Sequence, residues 1–251
     1  MEPVSLQKKT TYIYKGQNIS TLGCQRLAEA SRKRADTIVA DESEIYRWLN
    51  NPANRHKGDV LIIPGGRSMM VMADLAPHRE LLVKNLRSGV NMLGFCAGAN
   101  IGGSNATYEY IYHGENLKME LSGLGLLPVE ARGPVFKSFQ TKPVSLEAAE
   151  RIKVKMDNKE YEAYYCHGPE MQPTQQGNHV EVLATYSTGG GAIVAGKADK
   201  SYVVLSGVHP EFTPEDVGIP YKDEDDENSR EVLLDYLFQK VALPRREWIR
   251  A

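Results

Sequence analysis

Residues Val60 to Ile63 form an unbroken apolar run that stops at Pro64, Gly65 and Gly66. Consecutive apolar residues fit a strand buried on both faces, because a strand with one wet face alternates. Such a strand belongs inside a parallel sheet covered by helices on both sides, and the neighbouring segments keep the same rhythm. Thr10 to Tyr14 is β-rich and passes through the turn residues Lys15 to Asn18 into a helical stretch, Thr21 to Arg34. Thr37 to Val39 reads as a short strand, and Asp41 to Glu44 supplies cap-type residues ahead of Ile45, Trp48 and Leu49 at helical spacing. A helix is expected over Leu75 to Arg87, stopped by Gly89, and Val90 to Phe95 is a fourth strand, broken at Cys96 by small residues. Strands alternating with helices, joined by right-handed crossovers, predict an α/β, flavodoxin-like fold with a mostly parallel sheet.

The chain changes character between residues 105 and 206. Arg151 to Met156, Glu160 to Cys166, Val180 to Tyr186, Ala192 to Ala195 and Tyr202 to Leu205 are short β-type runs separated by Gly, Asn and Lys turns, so an added antiparallel or mixed β region is expected. Glu231 to Leu243 is patterned as a terminal helix that ends before Pro244. With no internal repeat and no linker, residues 1–251 are expected to form a single domain.

Charge and cysteine usage narrow the function. Thirty basic against 32 acidic residues give a formal net charge of -2, which argues against a nucleic-acid footprint or a polybasic membrane patch. Three cysteines, Cys24, Cys96 and Cys166, form no disulfide framework and suit a reducing compartment, so the cytoplasm is expected. No apolar run has the length of a signal h-region at the N-terminus or of a membrane span elsewhere. Asp223 to Glu227 is acidic throughout but lacks the alternating ligands and central Gly of a calcium loop, and reads as a solvated loop or helix lead-in. Cys166 and His167 are adjacent on a predicted strand, point to opposite faces and have no further ligands at zinc spacing, so no metal site is expected. Met69, Met70 and Met72 read as packing residues.

Three segments carry chemistry. In Leu93 to Ala99, Gly94 and Gly98 flank Cys96 two residues either side, the small neighbours that a nucleophile needs at the tip of a strand-to-helix turn. Taken alone, Cys96 fits a small buried residue in a Gly-rich turn equally well. In Val203 to Glu211 a buried strand ends at His209, Pro210 and Glu211, so an imidazole able to take the thiol proton sits two residues from a carboxylate able to orient it. Gly65 and Gly66 end a neighbouring strand, where a free backbone N–H at Gly66 could join that of Ala97 in holding an oxyanion. Arg132 could clamp a carboxylate through its planar fork or be a surface ion pair. The segment Tyr164 to Glu170 could line the pocket through Tyr165 or Glu170.

Together these segments resemble the class I glutamine amidotransferase-like superfamily and, within it, the biotin-protein ligase N-terminal domain family. The resemblance rests on Tyr14 with Gly16, Ile63 to Gly66, Leu93 to Gly98, Ala131 to Pro134 with Phe136, Tyr164 to Pro169, Val180 to Tyr186 and Leu205 to Glu211. It implies a triad of Cys96, His209 and Glu211, an oxyanion hole at Gly66 and Ala97, and substrate contacts at Gly65, Asn100, Arg132, Tyr165 and Glu170. Asn100 stands where glutamine amidotransferases carry Gln. The resemblance further implies a small-molecule substrate and no cofactor; a protein partner is not readable. The larger ligases also have a catalytic domain with a Gly-Arg-Gly-Arg type loop, which this sequence lacks, so biotin ligation by this chain alone is not expected. Two functions follow: a cysteine hydrolase or acyl-transfer enzyme on an amide-type substrate, or a non-catalytic small-molecule binding or regulatory module.

Overall fold

In the computed structural model, which describes residues 9–51, 58–174, 179–221 and 224–242, the chain begins with strand–helix units. Strand β1 (Thr10–Tyr14) leads to helix α1 (Thr21–Arg32), and β2 (Asp36–Ala40) leads to α2 (Glu42–Asn50). Then β3 (Val60–Ile63) leads to α3 (Ser68–Leu75) and α4 (Arg79–Ser88), and β4 (Asn91–Phe95) to the short α5 (Ala97–Gly102). The first two helices start where the sequence supplies caps. Ser20 Oγ accepts the Gly23 N–H at 3.1 Å ahead of α1, and Asp41 and Glu44 form a reciprocal capping box on α2; such caps contribute about 1 kcal/mol each. The helix expected over Leu75 to Arg87 is α4, which begins only at Arg79 because Pro77, in a 3-10 turn (Ala76–His78), has no N–H to continue a ladder from α3, a separate helix that ends at Leu75. Gly89, at φ 132°, ends α4 as expected.

The second half is almost entirely strand: β5 (Asn105–Tyr112), β6 (Glu115–Ser122), β7 (Val129–Gly133), β8 (Glu150–Met156), β9 (Lys159–Tyr165), β10 (Glu170–Pro173), β11 (Val180–Thr185), β12 (Gly191–Ala198) and β13 (Ser201–Ser206). Helices α6 (Pro214–Val217) and α7 (Glu224–Lys240) follow. Asp225 to Glu227 of the acidic run lie in the first turn of α7, where their negative charge suits the positive helix end; Asp223 and Leu243 lie outside the described residues. Among the described residues no helix is long and apolar enough to cross a membrane.

The sheet's parallel part runs β2-β1-β3-β4-β13, the flavodoxin-like order. Beyond β13, β12 pairs antiparallel and starts the mixed region. Strands β3 and β4 are buried along their whole length, and full burial of residues such as Leu93 and Phe95 stabilises by about 1.5–3 kcal/mol each. Register aligns their ends: Ile63 lies beside Gly94, and Phe95 beside Ser206. The segments that follow β3, β4 and β13 therefore leave the sheet side by side at its carboxyl edge, where ligands of open α/β sheets collect.

Candidate active site

Between β4 and α5, Cys96 has φ 49° and ψ -97°, a left-handed φ that is uncommon for a residue with a Cβ. Its N–H donates to the Ser206 carbonyl at 2.8 Å, and its own carbonyl accepts the Asn100 N–H at 3.1 Å. The flanking glycines explain the turn. A Cβ on Gly94 would stand 2.5 Å from the Gly98 carbonyl oxygen, and one on Gly98 would stand 2.1 Å from that of Ile63. Backbone meets backbone at both places, so neither position has room for a methyl group.

His209 follows β13 and enters the same space. Its N–H donates to the Tyr164 carbonyl at 2.8 Å, while Arg230 Nη1 donates to the Pro210 carbonyl at 2.7 Å, so the turn carrying the ring is tied from two elements. Nδ1–H of His209 donates to Glu211 Oε1 at 2.7 Å, with both side chains buried. On one face the ring stacks on Phe212, centroids 5.0 Å apart at 23°. Toward Gly65, a Cβ added at that glycine would lie 2.8 Å from Cε1 of the ring and 3.6 Å from both Nε2 and the Cys96 Cβ. The missing side chain of Gly65 is thus what lets imidazole and cysteine share one space. Burial alone would lower the pKa of His209, but the Glu211 carboxylate and the Cys96 side chain outweigh it and push it up to about 10. Both neighbours thus favour the protonated ring. Cys96 Sγ also makes a long contact, 3.6 Å, to the Cys166 carbonyl oxygen.

A cleft of about 440 Å³ opens over this group, lined by Gly65, Gly66, Cys96 and His209 together with Asn18, Arg67, Ser145, Cys166 and Phe212. Asn18 to Ser20 pairs with Gly65 to Arg67 as a short antiparallel bridge, through Ser20 N–H to the Gly65 carbonyl and Arg67 N–H to the Asn18 carbonyl, each 2.9 Å. In that pattern the Gly66 N–H turns away from the pairing. Ala97 is the first residue of α5, so its N–H has no intrahelical acceptor.

The remaining sequence candidates stand apart from the cleft. Tyr165 is fully buried; its hydroxyl donates to the Gly168 carbonyl at 2.8 Å and accepts the Val135 N–H at 2.7 Å. Alternation along the strand sends the neighbouring Cys166, not Tyr165, into the cleft. Glu170 and Arg132 are opposite each other on β10 and β7 and line a different groove, and Arg132 pairs with Glu130 at 3.0 Å. Asn100 is buried beneath the elbow, where its amide donates to Ser68 Oγ at 2.9 Å and to Tyr108 Oη at 2.8 Å. Met69 and Met70 are exposed, while Met72 packs in the core. Of the segment Tyr164 to Glu170 expected to line the pocket, Cys166 does so, and Arg67 and Phe212, which the sequence does not mark, adjoin motifs that it does, since Arg67 follows Gly66 and Phe212 follows Glu211.

The family described as "Biotin-protein ligase, N terminal" matches residues 10–251. The biotin–protein ligase of Schizosaccharomyces pombe is 29% identical over 195 residues, covering 73% of this chain and 30% of the ligase, so the chain spans less than a third of that relative's length. A crystal structure of a glutamine amidotransferase superposes with TM-score 0.58 at 16% identity, covering 92% of this chain and 98% of the other. A glutamine amidotransferase from Thermotoga maritima gives 0.52 at 13% identity, covering 93% and 98%. At such identities the likeness establishes the fold.

Proposed function

We propose that this chain, which belongs to the biotin-protein ligase N-terminal family, is an amidotransferase-like cysteine hydrolase that acts on an amide-type small molecule in the cytoplasm. One observation carries the reading: His209 is held by Glu211 at 2.7 Å and faces Cys96 across the space left by Gly65. The pair reacts as thiolate and imidazolium. Cys96 Sγ attacks the acyl carbon, forming the S–C bond, and the carbonyl oxygen becomes an oxyanion held by the N–H groups of Gly66 and Ala97. As the C–N bond breaks, the imidazolium gives its Nε2 proton to the departing amine and a thioester remains. Water then attacks the thioester, His209 takes its proton, and the carboxylic acid leaves with the thiolate–imidazolium pair restored. Glu211 is a positioning residue, fixing which ring nitrogen faces the sulfur.

The test is labelling with an alkyne iodoacetamide probe of the wild type, Cys96→Ala and His209→Ala. Wild type is expected to label at Cys96, Cys96→Ala to lose that label, and His209→Ala to label about 10²-fold more slowly. Equal rates in wild type and His209→Ala would overturn the reading and leave the non-catalytic binding module.

A further inference from the structure

The cleft over Cys96 is lopsided in charge. Among the described residues its lining includes the basic side chains His209 and Arg67 and no Asp or Glu. The charge of His209 is already matched by Glu211 at 2.7 Å. Arg67 is exposed and has no acidic partner among the described residues, whereas Arg26, Arg34, Arg132 and Arg151 pair with Asp216, Asp235, Glu130 and Glu162. Its backbone is fixed, because the Arg67 N–H is held by the Asn18 carbonyl at 2.9 Å and the preceding Gly66 packs so closely that a Cβ there would stand 2.2 Å from the same oxygen. A guanidinium thus pivots from a pinned point one residue beyond the oxyanion donor.

We propose that Arg67 is the specificity-determining residue of the site and that the substrate carries a carboxylate near its scissile amide, which the Arg67 fork engages. The proposal deepens the hydrolase reading and rests on Cys96 as nucleophile. A guanidinium presents paired N–H donors that match a carboxylate in plane, and the neutral polar groups around it, Asn18 and Ser145, offer no competing charge. The sequence offered this role to Arg132, whose charge is taken by Glu130 on the same strand.

Iodoacetate and iodoacetamide test this directly. Both alkylate by the same step, in which Sγ forms a bond to the methylene carbon as the C–I bond breaks and iodide leaves, and they differ in carrying a carboxylate or a neutral amide. The ratio of their second-order rates at Cys96, read by peptide mass mapping at pH 7.5, is expected to fall about tenfold in Arg67→Gln, the loss of one charge-assisted contact. The iodoacetamide rate should stay within about twofold of wild type, Arg67→Lys should keep most of the ratio, and salt should lower it in wild type and Arg67→Lys but not in Arg67→Gln. Arg47→Gln, on the exposed face of α2, controls for overall charge. A ratio that is the same in wild type and Arg67→Gln overturns the proposal with the nucleophile intact. Should neither reagent favour Cys96 over Cys24 and Cys166, the nucleophile reading fails and this proposal falls with it.

Discussion

His209 and Glu211, separated by Pro210, face each other at 2.7 Å with both side chains out of solvent. Proline fixes the backbone between them, and the ties from Tyr164 and Arg230 leave the ring little freedom. Glu211→Gln keeps the shape and removes the charge. It is expected to slow Cys96 chemistry by about 10²- to 10⁴-fold, as when the carboxylate of a triad becomes an amide. It should also move the alkaline limb of the pH–rate profile to lower pH, since the carboxylate is what raises the ring. A rate loss with no movement of the profile would assign Glu211 a packing role only.

Gly65→Ala is the sharpest probe of the shared space. Its methyl would lie 2.8 Å from the His209 Cε1, and stacking on Phe212 stops the ring from retreating. The side chain must shift, and displacement of an acid–base group by about 1 Å costs on the order of 10² in rate. Stability should fall by only about 1–3 kcal/mol, the usual range for overpacking. Urea denaturation together with Cys96 labelling separates the two effects, and unchanged labelling would mean that the imidazole is not where the reaction needs it.

The parallel half was legible because both its periodicity and its punctuation are local. Val60 to Ile63 and Val90 to Phe95 announce buried strands, and each is closed by the glycines that the site requires. The hairpin of β5 and β6 carries no such signal. The side chains of β6 are nearly all exposed, so alternation is absent, and Ile111, Leu117 and Met119 remain in water. At the site, Cys96 and His209 could be paired because each ends a strand of one sheet, whereas the facing of Tyr165, Glu170 and Arg132 depends on strand pairings far apart in sequence, such as Glu170 against Arg132. The role of Arg67 is hidden in the sequence for a similar reason: it rests on there being no acidic partner among the described residues, and only the folded chain shows which carboxylates come near.

The other two cysteines supply an internal contrast. Burial pushes the thiol of Cys24 up to about 11 and, with the charge of Cys96 added, that of Cys166 up to about 12. Cys166 shares the cleft with Cys96, so it has similar access but almost no thiolate at neutral pH. Iodoacetamide at pH 7.5 is expected to modify Cys96 at least about 100-fold faster than Cys166, and the Cys24 and Cys166 rates should rise about tenfold per pH unit up to pH 9. In urea the three should converge. Parallel rates in the native protein would remove the case for a specially activated Cys96.

The raised His209 also ties stability to pH. In the unfolded chain a histidine titrates near about 6.5, whereas in the fold Glu211 and Cys96 hold the proton up to about 10. Between those values the native state binds a proton that the unfolded state has released, so stability must decline as pH rises. The contribution is full below about pH 6.5, diminishes steadily above it, and is gone once pH passes the folded value. Urea midpoints of wild type and His209→Gln, measured from pH 6 to 10.5, should differ most at the acid end of this window and draw together at the alkaline end. Glu211→Gln should flatten the wild-type slope in the same way, because it removes the charge that retains the proton. A margin between wild type and His209→Gln that stayed constant across the window would show that His209 is held neutral, and that the cysteine meets no imidazolium in the folded protein.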